Sequence, residues 1–109
     1  MHVNIDALEA YLYHHYGELG NEQSLFMKLV EEVGEVAEVL NKRAGRKASD
    51  AADLQDALGK ELADVIHYAV AIAAINDLDL NDIILSKDKQ AAIKYHHDMN
   101  LEQFLLRRT

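Results

Sequence analysis

Two short acidic clusters stand out in the sequence, because each carries carboxylates three residues apart. Residues 31–35 read Glu-Glu-Val-Gly-Glu, and residues 61–64 read Glu-Leu-Ala-Asp. On a helix, side chains at this spacing project from nearly the same face. Carboxylates gathered in this way repel one another unless a cation lies between them, and hard oxygen ligands favour Mg²⁺, Mn²⁺ or Ca²⁺. The clusters therefore predict a divalent metal site and, through it, phosphate chemistry.

The composition predicts a single all-α domain that covers residues 1–109. Hydrophobic residues make up 50% of the 109 residues, proline is absent, and there are five glycines. This length is near the common size for one hydrophobic core. Alanine, leucine, glutamate and lysine, all good helix formers, are plentiful. We therefore expect helices throughout the chain.

Charge and hydropathy exclude several classes of partner. The formal net charge of −8 argues against a nucleic-acid polymer, which needs a basic surface, but leaves a nucleotide substrate open. The absence of cysteine excludes disulfides and thiolate metal sites and fits the cytoplasm. Residues 1–6 lack the pattern of a signal peptide, and the longest apolar stretch, residues 65–75, is too short to span a bilayer. We expect a cytoplasmic protein without membrane association.

Hydrophobic spacing predicts four long helices and a short final one. The first four cover about residues 4–18, 22–43, 50–75 and 81–95, and the last covers residues 101–107. The pattern also allows a break in the third helix near Gly59. Asn21 is the expected cap of the second helix, Ser49 or Asp50 of the third, and Asn81 of the fourth. Residues 65–75 are apolar almost all round, so we expect this segment to lie in a subunit interface.

Helical phase places the motif carboxylates beside apolar stripes. The stripe that we take as the core side of the second helix comprises Leu29, Val33, Val36 and Leu40. At about 100° per residue, Glu32 lies roughly 60° from this direction and Glu35 roughly 120°, whereas Glu31 falls near the far side. Glu61 and Asp64 head stripes that are otherwise apolar, where burying an unpaired carboxylate is costly. A cation shared among the four flanking carboxylates removes that cost.

The two clusters together resemble the paired signature of the MazG-like, all-α NTP pyrophosphatase superfamily. That signature is Glu-Glu-x-x-Glu, a variable spacer and Glu-x-x-Asp, and here twenty-five residues separate Glu35 from Glu61. The resemblance covers roughly residues 25–94. It implies a four-helix MazG-like bundle that assembles as a homodimer or homotetramer.

The resemblance also implies an activity and a ligand set. Members of this superfamily hydrolyse nucleoside triphosphates between the α and β phosphates, which clears or edits nucleotide pools. Carried over to this chain, Glu32, Glu35, Glu61 and Asp64 are the implied catalytic ligands of Mg²⁺, with Mn²⁺ as an alternative. Glu31 matches the first glutamate of the motif but is a weaker candidate. No Gly-x-x-x-x-Gly-Lys-Ser/Thr loop occurs, so a P-loop mechanism is unsupported.

Three lysines are the candidate phosphate-binding residues. Lys87 and Lys94 lie seven residues apart and share a face of the helix that follows the second cluster. Lys28, one turn before Glu32, either binds phosphate or pairs with a neighbouring glutamate. The asparagine and arginine that often follow the lysine in this superfamily are not obvious in residues 87–97, so the choice of nucleotide stays open.

Other polar and aromatic residues carry weaker signals. His67 completes an Asp-x-x-His pattern with Asp64, but di-iron bundles use Glu-x-x-His on two helices, and this chain has none. Tyr11, Tyr13 and Phe26 are expected to pack in the core rather than against a nucleobase. The alternative from another functional class is a non-enzymatic helical oligomer, such as a regulator, whose acidic site is vestigial or holds a structural cation.

Overall fold

The fold is all-α in a computed structural model that describes residues 1–17, 21–45 and 51–108. These residues form five helices and no strand: α1 (Ile5–Tyr16), α2 (Glu22–Gly45), α3 (Ala51–Ile75), α4 (Leu80–Lys94) and α5 (Leu101–Arg108). The predicted all-α class is confirmed, and the five helices correspond to the four long segments and the short final one that the spacing predicts. The four-helix bundle that the resemblance implies is wrong in its helix count. Within the described ranges, no helix is long and apolar enough to cross a membrane.

Side-chain caps explain where two of the helices begin. Asn21 accepts a hydrogen bond from Ser24 N at 3.1 Å, which confirms it as the predicted cap of α2. The prediction for α4 was wrong by two residues: Asp79 rather than Asn81 caps the helix, and its carboxylate accepts from Asp82 N at 3.2 Å. Both residues are good caps, and Asp79 prevails because its extended backbone precedes the first helical turn.

The third helix runs without interruption from Ala51 to Ile75, so a break near Gly59 is wrong. A glycine inside a helix costs about 1 kcal/mol relative to alanine, which the neighbouring turns can offset. The predicted caps Ser49 and Asp50 lie outside the described residues.

Helices α2 and α3 form a long antiparallel hairpin, and α1 packs on the second half of α3. Asn76 Nδ2, just after α3, donates to Glu22 Oε1 at the start of α2 at 2.8 Å, so these two ends meet. The core cluster between α1, α2 and α3 contains Leu12, Leu25, Val70, Ala71 and Ala74. Leu80 N, at the start of α4, donates to Glu9 of α1 at 2.8 Å. Helix α5 then packs on α4, where Leu101 N donates to Asp88 at 2.6 Å.

Four of residues 65–75 are buried within the chain and five are half-buried, and the predicted place of this segment in a subunit interface stays a prediction. Val70, Ala71, Ala73 and Ala74 are buried, and Val70, Ala71 and Ala74 belong to the core shared with α1 and α2. Ile66 is the large side chain of this segment that stays exposed, at 53%.

Burial divides α2 into three stripes. The residues that face α3 are Leu25, Leu29, Glu32, Val36 and Val39, all buried or half-buried. One position later lie the exposed apolar residues Phe26, Val30, Val33 and Leu40. One position earlier lie the exposed polar residues Lys28, Glu31, Glu35, Glu38 and Lys42. The predicted core direction was therefore wrong at Val33 and Leu40, because it combined two adjacent apolar stripes.

Helix α3 repeats this division. Its half-buried stripe toward α2 comprises Leu58, Glu61, Val65 and Tyr68. One position later lie the exposed Leu62, Ile66 and Ala69, and one position earlier lie Lys60, Asp64 and His67. Because the helices are antiparallel, equivalent stripes lie on the same side of the hairpin. One side is thus an apolar face (Phe26, Val30, Val33, Leu40, Leu62 and Ile66). The other is an acidic face (Glu31, Glu35, Glu38 and Asp64).

Candidate metal centre

Three of the four predicted ligands meet across the α2–α3 hairpin. Glu32 from α2 and Glu61 and Asp64 from α3 each offer a carboxylate oxygen, and these oxygens lie within 4.8 Å of one another. Glu32 and Glu61 lie between the helices and are half-buried, whereas Asp64 is exposed on the acidic face. The hairpin therefore positions three oxygen ligands from two helices around one point.

Two oxygens of this group lack a hydrogen-bond partner. Glu32 Oε2 and Glu61 Oε2 are buried, and no described residue donates to either one. The three lysine ion pairs of the described residues are Lys28–Glu31, Lys42–Glu38 and Lys60–Asp56, and none involves these carboxylates. A buried carboxylate without a partner is costly. The donor set fits a hard divalent cation, which prefers carboxylate oxygen.

Glu35 is close enough to the group to alter its protonation. Protonated Glu61 can donate a hydrogen bond to Glu35, and with desolvation this raises the pKa of Glu61 to about 7. Burial also raises the pKa of Glu32, and the negative charges of Glu35 and Asp64 add to the rise, although hydrogen bonding with Glu61 opposes it. Glu35 itself is exposed on the acidic face and lies outside the three-carboxylate group. Glu32 and Glu61 lie in the seam between α2 and α3. Without a cation, their carboxylates thus favour a bound proton.

Glu31 and Lys28 pair with each other rather than joining the centre. Lys28 Nζ lies 3.4 Å from Glu31 Oε2, and both side chains are exposed. This agrees with the predicted weaker role of Glu31 and with the second of the two roles considered for Lys28. A phosphate contact by Lys28 stays a prediction.

Lys87 and Lys94 lie on α4, which packs on α1 and α5. Within the described part of the chain, neither lysine forms an ion pair with a carboxylate, and Lys94 Nζ lies 5.3 Å from the centre of the Tyr95 ring. A single chain therefore does not link these lysines to the acidic centre, and their role at phosphate stays a prediction.

A tyrosine–histidine pair beside the centre was missed by sequence reasoning. Tyr16 Oη and His67 Nε2 form a hydrogen bond of 2.8 Å, and His67 lies one turn after Asp64. The only sequence signal was this three-residue spacing, because Tyr16 comes from α1, 51 residues away. The metal-binding group of the described residues contains carboxylates alone, which does not support a di-iron arrangement with His67.

The expected core packing of three aromatic residues was wrong. Tyr11, Tyr13 and Phe26 are exposed, at 60%, 55% and 52%. Tyr11 stacks on His15, with ring centres 6.4 Å apart, and Phe26 belongs to the apolar face.

Comparison with known protein families identifies a family that this sequence matches. The model of the MazG nucleotide pyrophosphohydrolase domain family matches residues 20–94. The matched range contains both acidic clusters and helices α2, α3 and α4. Comparisons with curated proteins and with solved structures gave no match.

Proposed function

The chain belongs to the MazG nucleotide pyrophosphohydrolase family, and we propose that it hydrolyses nucleoside triphosphates between the α and β phosphates. The products are a nucleoside monophosphate and pyrophosphate. The proposed role is to clear unwanted nucleotides from the cytoplasmic pool. One observation carries the proposal: two buried carboxylate oxygens, on Glu32 and Glu61, accept no hydrogen bond from an N–H or hydroxyl group of the described residues, and they lie beside a third candidate ligand, Asp64. Such an arrangement suits cation-assisted phosphate chemistry better than a solvated acidic surface.

The proposed ligands of Mg²⁺ are Glu32, Glu61 and Asp64, with Glu35 as the fourth carboxylate of the site. Mn²⁺ is the alternative ion. The cation supplies positive charge beside the reacting phosphate oxygens and activates water. Glu35 is exposed next to Glu61, on the side from which substrate and water arrive. An oxygen of Glu35 that is free of metal can orient the attacking water and accept its proton.

Lysines provide the proposed contacts to the phosphates. Lys28 lies on the same stripe of α2 as Glu35, two turns earlier, and its ion pair with Glu31 is exposed and weak. Lys87 and Lys94 lie on one face of α4 and have no ion-pair partner among the described residues. Replacing each lysine by alanine should raise KM for the triphosphate more than it lowers kcat.

The apolar face is the proposed site of self-association. Its six large apolar side chains are each about half exposed, and their stripes lie on the same side of the hairpin. Water rarely covers such a surface in a soluble protein. A second copy is the occupant we propose, because two identical hairpins packed face to face bury both surfaces and form a four-helix bundle. This two-chain bundle differs from the four-helix bundle of one chain that the family resemblance implies, and it gives a homodimer or a tetramer built from two such dimers.

A pyrophosphate-release assay over canonical and modified nucleoside triphosphates with Mg²⁺ tests the function. Glu35→Gln and Asp64→Asn should each lower kcat by about a hundredfold or more. Glu38→Gln is the matched control, because Glu38 lies on the same stripe but pairs with Lys42 at 3.1 Å. Turnover that survives both site substitutions contradicts the proposed centre. If no nucleotide is turned over while Mg²⁺ binds normally, the chain is instead a non-enzymatic helical oligomer.

A further inference from the structure

The end of α1 is tied to α3 one helical turn after Asp64. Helix α1 ends at Tyr16, with Gly17 as its C-cap, and Tyr16 Oη meets His67 Nε2 at 2.8 Å. His67 follows Asp64 by three residues on the same stripe of α3, about 4.5 Å further along the helix axis. The Tyr16–His67 pair is therefore the next pair of polar side chains along this stripe.

The His67 ring is held between two tyrosine rings. Side chains of a helix lean toward its N-terminus, which for His67 is the direction of the turn that carries Asp64. The rings of Tyr16 and Tyr68 meet it edge-on, at 5.7 and 4.9 Å between ring centres. His67 is nevertheless only half-buried, so part of the imidazole stays accessible.

The hydrogen bond with Tyr16 also selects the tautomer. Burial raises the pKa of Tyr16, and the nearby Tyr68 and Tyr11 raise it further, so the side chain stays a hydroxyl that can donate. When it donates to Nε2, the proton of the neutral imidazole is on Nδ1. No described residue forms a hydrogen bond with Nδ1. His67 thus offers one unused N–H donor.

Donors for phosphate oxygens are otherwise scarce near the carboxylates. Of the two lysines that lie closest along the helices, Lys60 pairs with Asp56, and only Lys28, whose exposed ion pair with Glu31 is weak, is a proposed phosphate contact. A neutral imidazole N–H can donate a hydrogen bond to a phosphate oxygen. Because it is uncharged, it does not compete with the metal for the carboxylates.

We propose that His67 is a substrate-binding residue whose Nδ1–H donates to a phosphate oxygen of the nucleotide bound at Glu32, Glu61 and Asp64. Tyr16 is the positioning residue that holds the ring and its tautomer. This inference rests on the proposed function and adds a phosphate contact that lies outside both acidic clusters.

Replacing His67 by glutamine and by asparagine distinguishes a role in substrate binding from a purely structural hydrogen bond with Tyr16. His67→Gln keeps an acceptor near Nε2 for Tyr16 but loses the donor at Nδ1, whereas His67→Asn keeps a donor near Nδ1 but loses that hydrogen bond. The readouts are KM and kcat for a triphosphate that the wild type hydrolyses, Mg²⁺ affinity by calorimetry, and the unfolding midpoint. His67→Gln should raise KM about tenfold with unchanged Mg²⁺ affinity. His67→Asn should stay within about threefold of the wild-type KM but unfold at lower temperature.

Tyrosine variants of α1 complete the test. Tyr16→Phe keeps the ring packing and frees the tautomer, so it should raise KM about threefold. Tyr13→Phe is the control on the same helix, because Tyr13 is exposed, and it should leave KM unchanged. If His67→Gln and Tyr16→Phe keep the wild-type KM while the unfolding midpoint falls, the pair is only structural and the proposal is overturned.

Failure of the proposed function gives a different result. If the wild type hydrolyses no nucleotide, the same variants are measured by Mg²⁺-dependent binding of a non-hydrolysable triphosphate analogue. Weaker binding by His67→Gln, with Tyr13→Phe unchanged, supports the contact even without turnover. Equal binding by wild type and His67→Gln, or no binding by either, overturns it.

Discussion

Magnesium binding should compete with a proton on Glu61. A hydrogen bond to Glu35 and desolvation raise the pKa of Glu61 to about 7. A metal ligand must be deprotonated, so below this pH each bound ion displaces about one proton from the seam between α2 and α3. Lowering the pH is therefore a direct perturbation of the centre.

The size of the effect follows from this pKa. At a given pH, the dissociation constant for Mg²⁺ is multiplied by one plus the ratio of protonated to ionised Glu61. The pKa of Glu61 is about 7. The affinity should be almost unchanged at about pH 8 and about tenfold weaker at about pH 6. The raised pKa of Glu32 acts in the same direction, so the weakening at low pH should not be smaller than this.

Isothermal titration of Mg²⁺ into the metal-free protein measures both the affinity and the proton. Titrations in two buffers of different ionisation enthalpy give the number of protons released per ion. Glu61→Gln should bind Mg²⁺ more weakly at high pH but show a flatter pH dependence, because its amide does not titrate. Glu38→Gln, on the exposed stripe of α2, should behave as the wild type. An affinity that does not change with pH, with no proton released, would refute the desolvated seam.

Three further predictions concern stability and assembly. The raised pKa of Glu61 means that the folded state binds a proton more tightly than the unfolded state. The metal-free protein should therefore lose thermal stability as the pH rises from about 5 through about 7. An unfolding midpoint that instead rises with pH contradicts this. Glu61→Leu should raise the unfolding midpoint of the metal-free protein and abolish Mg²⁺ binding, and a large destabilisation would oppose it. Ile66→Glu on the apolar face should convert the oligomer to monomer in sedimentation, while Ile93→Glu on α4 should not, although both residues are exposed. A wild type that sediments as a monomer at about micromolar concentration contradicts the apolar interface.

Local patterns were sufficient for the helices and for the candidate ligands that meet across the hairpin. The capping asparagine at position 21 and the apolar spacing that follows it predict α2, and the structure agrees. Three-residue spacing placed Glu61 and Asp64 on neighbouring stripes, and the hairpin brings both to Glu32. These features depend on contacts within one helix or between two adjacent helices, and hydrophobic periodicity records such contacts directly.

The direction of the α2 core could not be predicted in the same way. Val33 and Val36 are equally apolar, but Val36 faces α3 and Val33 is 51% exposed. Hydrophobicity does not distinguish a side chain buried within the chain from one that a second copy covers. The same limit applies to Tyr16 and His67, because a hydrogen bond between residues 51 positions apart leaves no periodic signal.

The position of Glu32 and Glu61 in the seam connects the fold to the proposed chemistry. Glu32 lies on the stripe of Leu29 and Val36, and Glu61 lies on the stripe of Leu58 and Val65, so apolar residues would pack well at both places. Replacing buried charges by apolar residues of similar size is often neutral or stabilising. Stability therefore does not account for two carboxylates whose buried oxygens accept no N–H or hydroxyl hydrogen bond within the described ranges. A cation accounts for them, because its positive charge offsets the repulsion between the carboxylates of the two helices. In the proposed function, the hairpin positions this ion, and the ion links the two helices at the centre.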